Sequence, residues 1–464
     1  MEKRKNKQIC TYIVLLIVSS LFYLVWYFHD GIIITPDSPT YIEMSSEREP
    51  VYSTFLWLLR LIFSKEIYLD VAVVIQCIVA GIAATMLTME IKKRFGLNWL
   101  WTFVILMLQY SMTLLNRFVA QRRYSYYNSI MTEAFTYSFW IFFILAVVGI
   151  LYDKNKKSII IATIWAIILS STRKQMFIAL PILFLAVLYV KAVQKKKWYI
   201  IITQALFIMV VSLGSIKLID YSYNYMCRGV FASHTGDSSF ILGTEIFLAD
   251  MNMVDDIKTE ECKELFMEIM KRAEENRYHI RYAGEGWNNI EDHYFLSYDS
   301  IKFEIVNVVI REYQEAHAIP EDMRQAHYYE VTDQLMKDLL PGFIPGFIKL
   351  FICNVIYGLI TTVLKVHPKL NVFAYIIYIA YILLFIYLVC NKSYKKVKVS
   401  SLPFAVLIMC AILVNIGLTS ATIYCQMRYM IYNTALFYQA GVLMFLEAWN
   451  LIKAKRISTQ VNEA

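Results

Sequence analysis

Ile9-Cys-Thr-Tyr-Ile-Val-Leu-Leu-Ile-Val-Ser-Ser-Leu-Phe-Tyr-Leu-Val-Trp-Tyr27 is a run of nineteen residues without a charge. Coiled as a helix it extends about 28 Å, close to the hydrocarbon thickness of a bilayer, about 30 Å. Comparable runs recur at 68–90, 99–115, 130–152, 158–171, 176–190, 199–218, 371–390, 402–418 and 434–451. With 58% hydrophobic and 18% charged residues among 464, the chain has more apolar side chains than a soluble core of that size uses. Only helices or closed barrels satisfy the backbone inside lipid, and runs of this length predict helices. The predicted fold class is an all-α polytopic membrane protein with ten transmembrane helices and a mostly helical extracytoplasmic insertion.

Basic clusters orient the spans, because cytoplasmic loops carry the excess of Lys and Arg. Lys3/Arg4/Lys5/Lys7, Lys92/Lys93/Arg94, Lys154/Lys156/Lys157 and Lys191/Lys195/Lys196/Lys197 alternate correctly through the seventh span. That alternation puts Asp37, the 116–128 loop, Arg173 and the long loop after 220 on the outer face. The apolar stretch 344–364 breaks the parity if it crosses, since Lys392/Lys395/Lys396/Lys398 would then face outward. It contains Pro345, Gly346, Lys349 and Asn354, and laid flat on the outer surface it leaves every cluster, including Lys453/Lys455/Arg456, inside. The expectation is a plasma-membrane protein with both termini cytoplasmic. It would have an N-terminal membrane module (1–218), an extracytoplasmic domain (219–343), and an interfacial helix followed by a C-terminal membrane module (344–464).

The long loop has ordinary soluble composition. Helices are expected over 259–277 and 300–317, and another beginning after Ile319-Pro320-Glu321-Asp322, with a Gly/Asn-rich turn at 283–289. The net charge of +8 is spread among topology-setting clusters, so no nucleic-acid partner is implied. Eight cysteines without CxxC spacing and seven scattered histidines give no metal or disulfide framework, although Cys227 and Cys262 share the long loop. The N-terminal apolar run lacks a small-residue cleavage site and reads as a first span.

Chemistry gathers in the outer loops. The first is Ile34-Thr-Pro-Asp-Ser-Pro-Thr-Tyr-Ile-Glu-Met-Ser-Ser-Glu-Arg-Glu-Pro-Val-Tyr-Ser53, where two prolines and a serine set a turn around Asp37. Arg117, Arg122 and Arg123 follow in the next outer loop, and Glu133 lies at the head of the fourth span. Arg173 sits between two short spans, and Arg428-Tyr429 precedes the last span. Outward arginines run against the positive-inside trend. Arg offers a fixed fork of donors for a phosphate at headgroup depth, and a nearby carboxylate can take the proton of an attacking hydroxyl. Transfer from a lipid phosphate requires both, because charge develops on the departing phosphate. The plainer alternatives are that Asp37 forms a turn or caps the following helix, that Glu133 snorkels outward, that Arg173 anchors two helix ends, and that Arg428 pairs with a structural acid.

Pro36-Asp37-Ser38-x-x-Tyr41 with Arg48-Glu49-Pro50-Val51-Tyr52 resembles the first-loop signature of the C-type (GT-C fold) membrane glycosyltransferases, which include protein O-mannosyltransferases and aminoarabinose transferases. Met131-Thr132-Glu133, Ser171-Thr172-Arg173 and Arg428-Tyr429 are similar to further elements of that superfamily, in the same order. The resemblance implies an inverting transfer of a sugar from a polyprenyl-phosphate donor to a glycan, lipid or protein acceptor. Asp37 and Glu133 would be catalytic, with Tyr41, Arg48, Arg173, Arg428 and Tyr429 binding substrate. Many relatives carry adjacent acids in this loop, whereas Ser38 follows Asp37 here, so a divalent-cation cofactor is left open. The competing class is a transporter or flippase of envelope precursors, which calls for mid-span polarity. The chain offers Gln76, Gln204 and Asn415.

Overall fold

The computed structural model describes residues 2–119, 124–195, 197–231, 239–364 and 371–463. Arg122 and Arg123 lie outside the described residues. Among those described the chain is helical and has no strand; one isolated bridge joins Ile33 to Ser129. Among the described residues ten helices are long and apolar enough to cross a membrane, which fits a multi-pass membrane protein; the expected run 158–171 is not one of them, and the helix containing 344–364 is. The contacts divide the chain into two compact units, one of Met1–His234, Thr362–Asn415 and Met427–Ala464, the other of Thr235–Thr361 and Ile416–Gln426.

In the first unit α1 (Glu2–Asp30) lies along α4 (Tyr68–Phe95), after the short α2 (Ser38–Ile42) and α3 (Pro50–Ile62). The two backbones approach closely because position 81 is glycine: a Cβ there would sit 2.8 Å from Ser20 N and 2.9 Å from its Cα. Ser19 Oγ accepts from Tyr110 on α5 (Trp99–Phe118) at 2.8 Å, giving a buried hydroxyl its partner. α6 (Glu133–Asp153) is apolar on all sides and correspondingly buried along most of its length. Trp140 Nε1 on α6 donates to Asn433 Oδ1 at 3.1 Å, just before α19. At the far end of α6, Asp153 is paired with Arg94, in the last turn of α4, at 2.8 Å.

α7 (Lys156–Ser170) has fifteen residues, about 22 Å, less than a full hydrocarbon thickness. It nevertheless returns to the level where α6 starts, because Arg173 just beyond it meets Glu133. α8 (Ala179–Val193) and α9 (Trp198–Arg228) follow, and α9 continues as one helix through 219–228, past the boundary expected at 218.

The second unit contains α10 (Ser239–Leu248), α11 (Glu260–Glu275), α12 (Trp287–Ser300), α13 (Asn307–Ala316) and most of α14 (Glu321–Leu364). Thr259 caps α11, accepting from Cys262 N at 3.2 Å. The helix expected from Ser300 starts earlier, at Trp287 after Gly286 (φ +92°), and reaches α13 through a π-helical turn over Ile301–Val306. Phe247, Phe266, Tyr294, Tyr298 and Leu335 form its core. The stretch 344–364, expected as a separate surface helix, is the continuous second half of α14, with Pro341 and Pro345 inside the helix, and α14 is among the ten long apolar helices. Cys227 is exposed, Cys262 is buried, and both are free thiols.

Glu245 on α10 is fully buried, and neither carboxylate oxygen has a hydrogen-bond partner among the described residues. Burial pushes its carboxyl up to about 8. The folded state then holds a proton that the unfolded chain has released, so stability is greatest below the ordinary glutamate range and declines as pH rises toward 8. Glu245→Gln should remove that decline, at most about 1.4 kcal/mol per pH unit between the ordinary glutamate range and pH 8, because the amide has no proton to lose. Thermal unfolding at pH 5 and pH 9 measures it.

In the first unit the chain closes with α15 (Asn371–Cys390), α16 (Ser393–Lys396), the part of α17 (Leu402–Ser420) up to Asn415, α18 (Met427–Met430) and α19 (Thr434–Glu463). α15 keeps an apolar outer surface, with Ile376, Ile379, Ile382 and Leu383 exposed, the pattern of a helix facing lipid.

Candidate functional site

Pro36-Asp37 makes a turn that leads into α2, and Asp37 occupies the N-cap position. Its carboxylate makes no capping hydrogen bond. Instead Oδ1 accepts from Arg48 Nη2 at 2.9 Å, eleven residues on in the same loop. Of the plain readings weighed for Asp37, the turn holds for its backbone, whereas capping is not what its side chain does. Burial pushes the Asp37 carboxyl up, but Arg48, Arg428 and Arg173 more than reverse this and hold it below the usual aspartate range. Tyr41, one helical turn on, stacks on Arg48, whose guanidinium carbon is 4.6 Å from the ring centre. Burial pushes the Tyr41 phenol up to about 12, so it stays protonated at neutral pH.

Glu133 opens α6 fully buried, which rules out the snorkelling expected as its plain alternative. Arg173 Nη1 lies 2.7 Å from Glu133 Oε2 and also donates to Thr132 Oγ1 at 3.0 Å. Arg428 on α18 sits between the two acids, with Nη1 3.7 Å from Asp37 Oδ2 and 4.0 Å from Glu133 Oε1. Those are ion-pair distances beyond hydrogen-bonding reach. Arg428 Nη2 donates to Tyr429 Oη at 2.8 Å, and its buried Nε has no partner among the described residues. The Tyr429 ring lies under both guanidinium groups, 4.9 Å from Arg428 and 5.3 Å from Arg173. Asp37, Tyr41, Arg48, Glu133, Arg173, Arg428 and Tyr429, drawn from four separate stretches of chain, thus converge in one unit.

Buried hydrogen bonds fasten these stretches to each other. Ile33 N donates to Asn128 O at 2.9 Å, and Ser38 Oγ donates to Ile130 O at 2.9 Å, which joins the first loop to the start of α6. Gln76 Nε2 donates to Tyr127 O (3.0 Å) and Ser129 O (3.1 Å), while its Oε1 accepts from Tyr52 Oη (2.7 Å). Glu49 Oε1 accepts from Lys174 N at 3.0 Å, and Val51 N donates to Ser171 O at 3.1 Å, which sets Arg173 beside the first loop. Gln175 Nε2 and Asn415 Nδ2 both donate to Tyr429 O, at 2.9 and 2.8 Å. Gln76 and Asn415, read from sequence as mid-span polarity, serve here as brackets. Gln175 and Glu49 carried no signal of that role.

Such a cluster can hold an anion on Arg428 and offers an ionised carboxylate beside it. Among the described residues no three His, Cys, Asp or Glu side chains converge to hold a metal ion. Asp37 and Glu133 each already face a guanidinium, which makes the pair a poor cation cage. In comparisons with known proteins, the chain matched no family model, no curated protein and no solved structure.

Proposed function

We propose that the protein is a membrane glycosyltransferase of GT-C type. It moves a sugar, with inversion, from a polyprenyl-phosphate donor to an envelope glycan, lipid or protein acceptor on the outer face of the membrane. The observation that carries this reading is the placement of Arg428 between two carboxylates, with a buried Nε that lacks a partner among the described residues. A largely buried guanidinium with an unspent donor favours an anion, and a phosphate accepts its fork. In the reaction Asp37 takes the proton of the acceptor hydroxyl as the new glycosidic bond forms. The sugar–phosphate bond breaks, and its electron pair leaves on the lipid phosphate, where Arg428 and Arg173 stabilise the charge. Glu133 holds Arg173 in place through the 2.7 Å pair. No step is assigned to a metal.

Arg428→Gln should raise the donor KM about 10- to 100-fold, the worth of a charge-assisted hydrogen bond to a phosphate. The acceptor KM should move little. Steady-state kinetics in proteoliposomes, varying each substrate in turn, read this directly. If both KM values hold, Arg428 does not bind the donor.

The transporter reading finds less support. The mid-span polar residues Gln76 and Asn415 are spent on bracing loops rather than lining a path.

A further inference from the structure

The two oxygens of Asp37 stand in different situations. Oδ1 accepts from Arg48 Nη2 at 2.9 Å, whereas Oδ2 has, among the described residues, only Arg428 Nη1, 3.7 Å away. All three nitrogens of Arg48 are engaged within its own loop: besides Asp37, Nε donates to Thr40 Oγ1 at 2.7 Å and Nη1 to Tyr41 Oη at 3.3 Å. Thr40 Oγ1 closes the circuit by donating to the Asp37 carbonyl at 2.7 Å. An arginine whose fork is taken up in this way has little left for a substrate phosphate, in contrast to Arg428. The resemblance placed Arg48 among the substrate-binding residues; its hydrogen bonds favour a different role.

We propose that Arg48 is a positioning residue that fixes the Asp37 carboxylate through Oδ1 and presents Oδ2 as the oxygen that takes the acceptor's proton. The fixing role is a matter of loop geometry. The assignment of Oδ2 rests on the glycosyl-transfer reading above. With Arg48 in place the carboxylate has one orientation, and without it the side chain turns freely about χ2. Misplacing a reacting group by about 1 Å costs on the order of 100-fold in rate.

The test compares Arg48→Gln and Arg48→Lys with wild type in nanodiscs. One arm is kinetic: Arg48→Gln should lower kcat about 10- to 100-fold with the donor KM within about threefold of wild type. Arg48→Lys, which keeps the charge but not the fork, should recover only a small part of kcat. The other arm needs no turnover. A carbodiimide modifies protonated carboxyls, so mass spectrometry of Asp37 labelling against pH reports its titration. Losing the neighbouring guanidinium should move the labelling midpoint of Arg48→Gln up by about one pH unit or more, and Arg48→Lys should fall in between. A raised donor KM with unchanged kcat makes Arg48 a substrate ligand and overturns the proposal, as does an unmoved labelling midpoint. If wild type transfers no sugar while the midpoint moves as expected, the positioning role stands, and it is the glycosyl-transfer reading that fails.

Discussion

Asp37→Asn should lower sugar transfer by about 10²- to 10⁴-fold, the usual contribution of a positioned general base, while the protein still folds and inserts. Asparagine keeps the shape and can still accept from Arg48 through its side-chain oxygen, but it cannot take a proton at neutral pH. The pair it replaces is partly exposed, with 33% of the Asp37 side chain accessible, so the stability change should stay within about 1 kcal/mol. Folding is checked by thermal unfolding and turnover by loss of label from the lipid-linked donor. Because its neighbours hold the Asp37 carboxyl below the usual aspartate range, wild-type transfer should be insensitive to this group across neutral pH. Its acid limb should emerge only below that range.

Arg173→Met should have the largest effect on stability, a loss of about 3–5 kcal/mol. Glu133 is fully buried, and its Oε2 has the Arg173 pair at 2.7 Å. Removing the guanidinium leaves a carboxylate buried with only Arg428, 4.0 Å away, as a distant counter-charge. The double variant Glu133→Leu/Arg173→Met should be more stable than Arg173→Met alone, since it removes the stranded charge together with its partner. Unfolding midpoints in detergent or nanodiscs decide this. If Arg173→Met melts like wild type, Glu133 is not held as a charged group by that pair.

The two substitutions separate what the sequence could and could not convey. Spans were legible because an uncharged run of membrane length, repeated in a chain this apolar, matches the thickness of hydrocarbon it has to cross. The starts of α11 and α14 were legible from Thr259 and from Pro320-Glu321-Asp322, local signals that need no tertiary context. Less legible was whether 344–364 continues a helix: Pro345 suggests a break, yet it and Pro341 both sit inside α14. Convergence of Asp37, Glu133, Arg173 and Arg428 could be anticipated from the alternation of basic clusters and from the resemblance of their motifs. What each side chain does there could not. Whether Asp37 caps α2 or reaches Arg48, and whether Glu133 snorkels or stays buried, depends on rotamers and neighbours contributed by distant segments. The brackets made by Gln76 and Gln175 reach Tyr127, Asn415 and Tyr429, partners 51, 240 and 254 positions away. A polar amide inside an apolar run signals that it has a partner, without saying which.

The proposed reaction breaks a sugar–phosphate bond at this cluster and does not move an intact lipid. The direct measurement uses wild-type protein in vesicles, with a polyprenyl-phosphate sugar labelled in the sugar and an envelope-type acceptor supplied on the same side. Expected is label leaving the lipid fraction, polyprenyl phosphate accumulating in equal amount, and inverted anomeric configuration in the product, with all three abolished by Asp37→Asn. Label that stays on the lipid but changes leaflet, with no free polyprenyl phosphate formed, would contradict it.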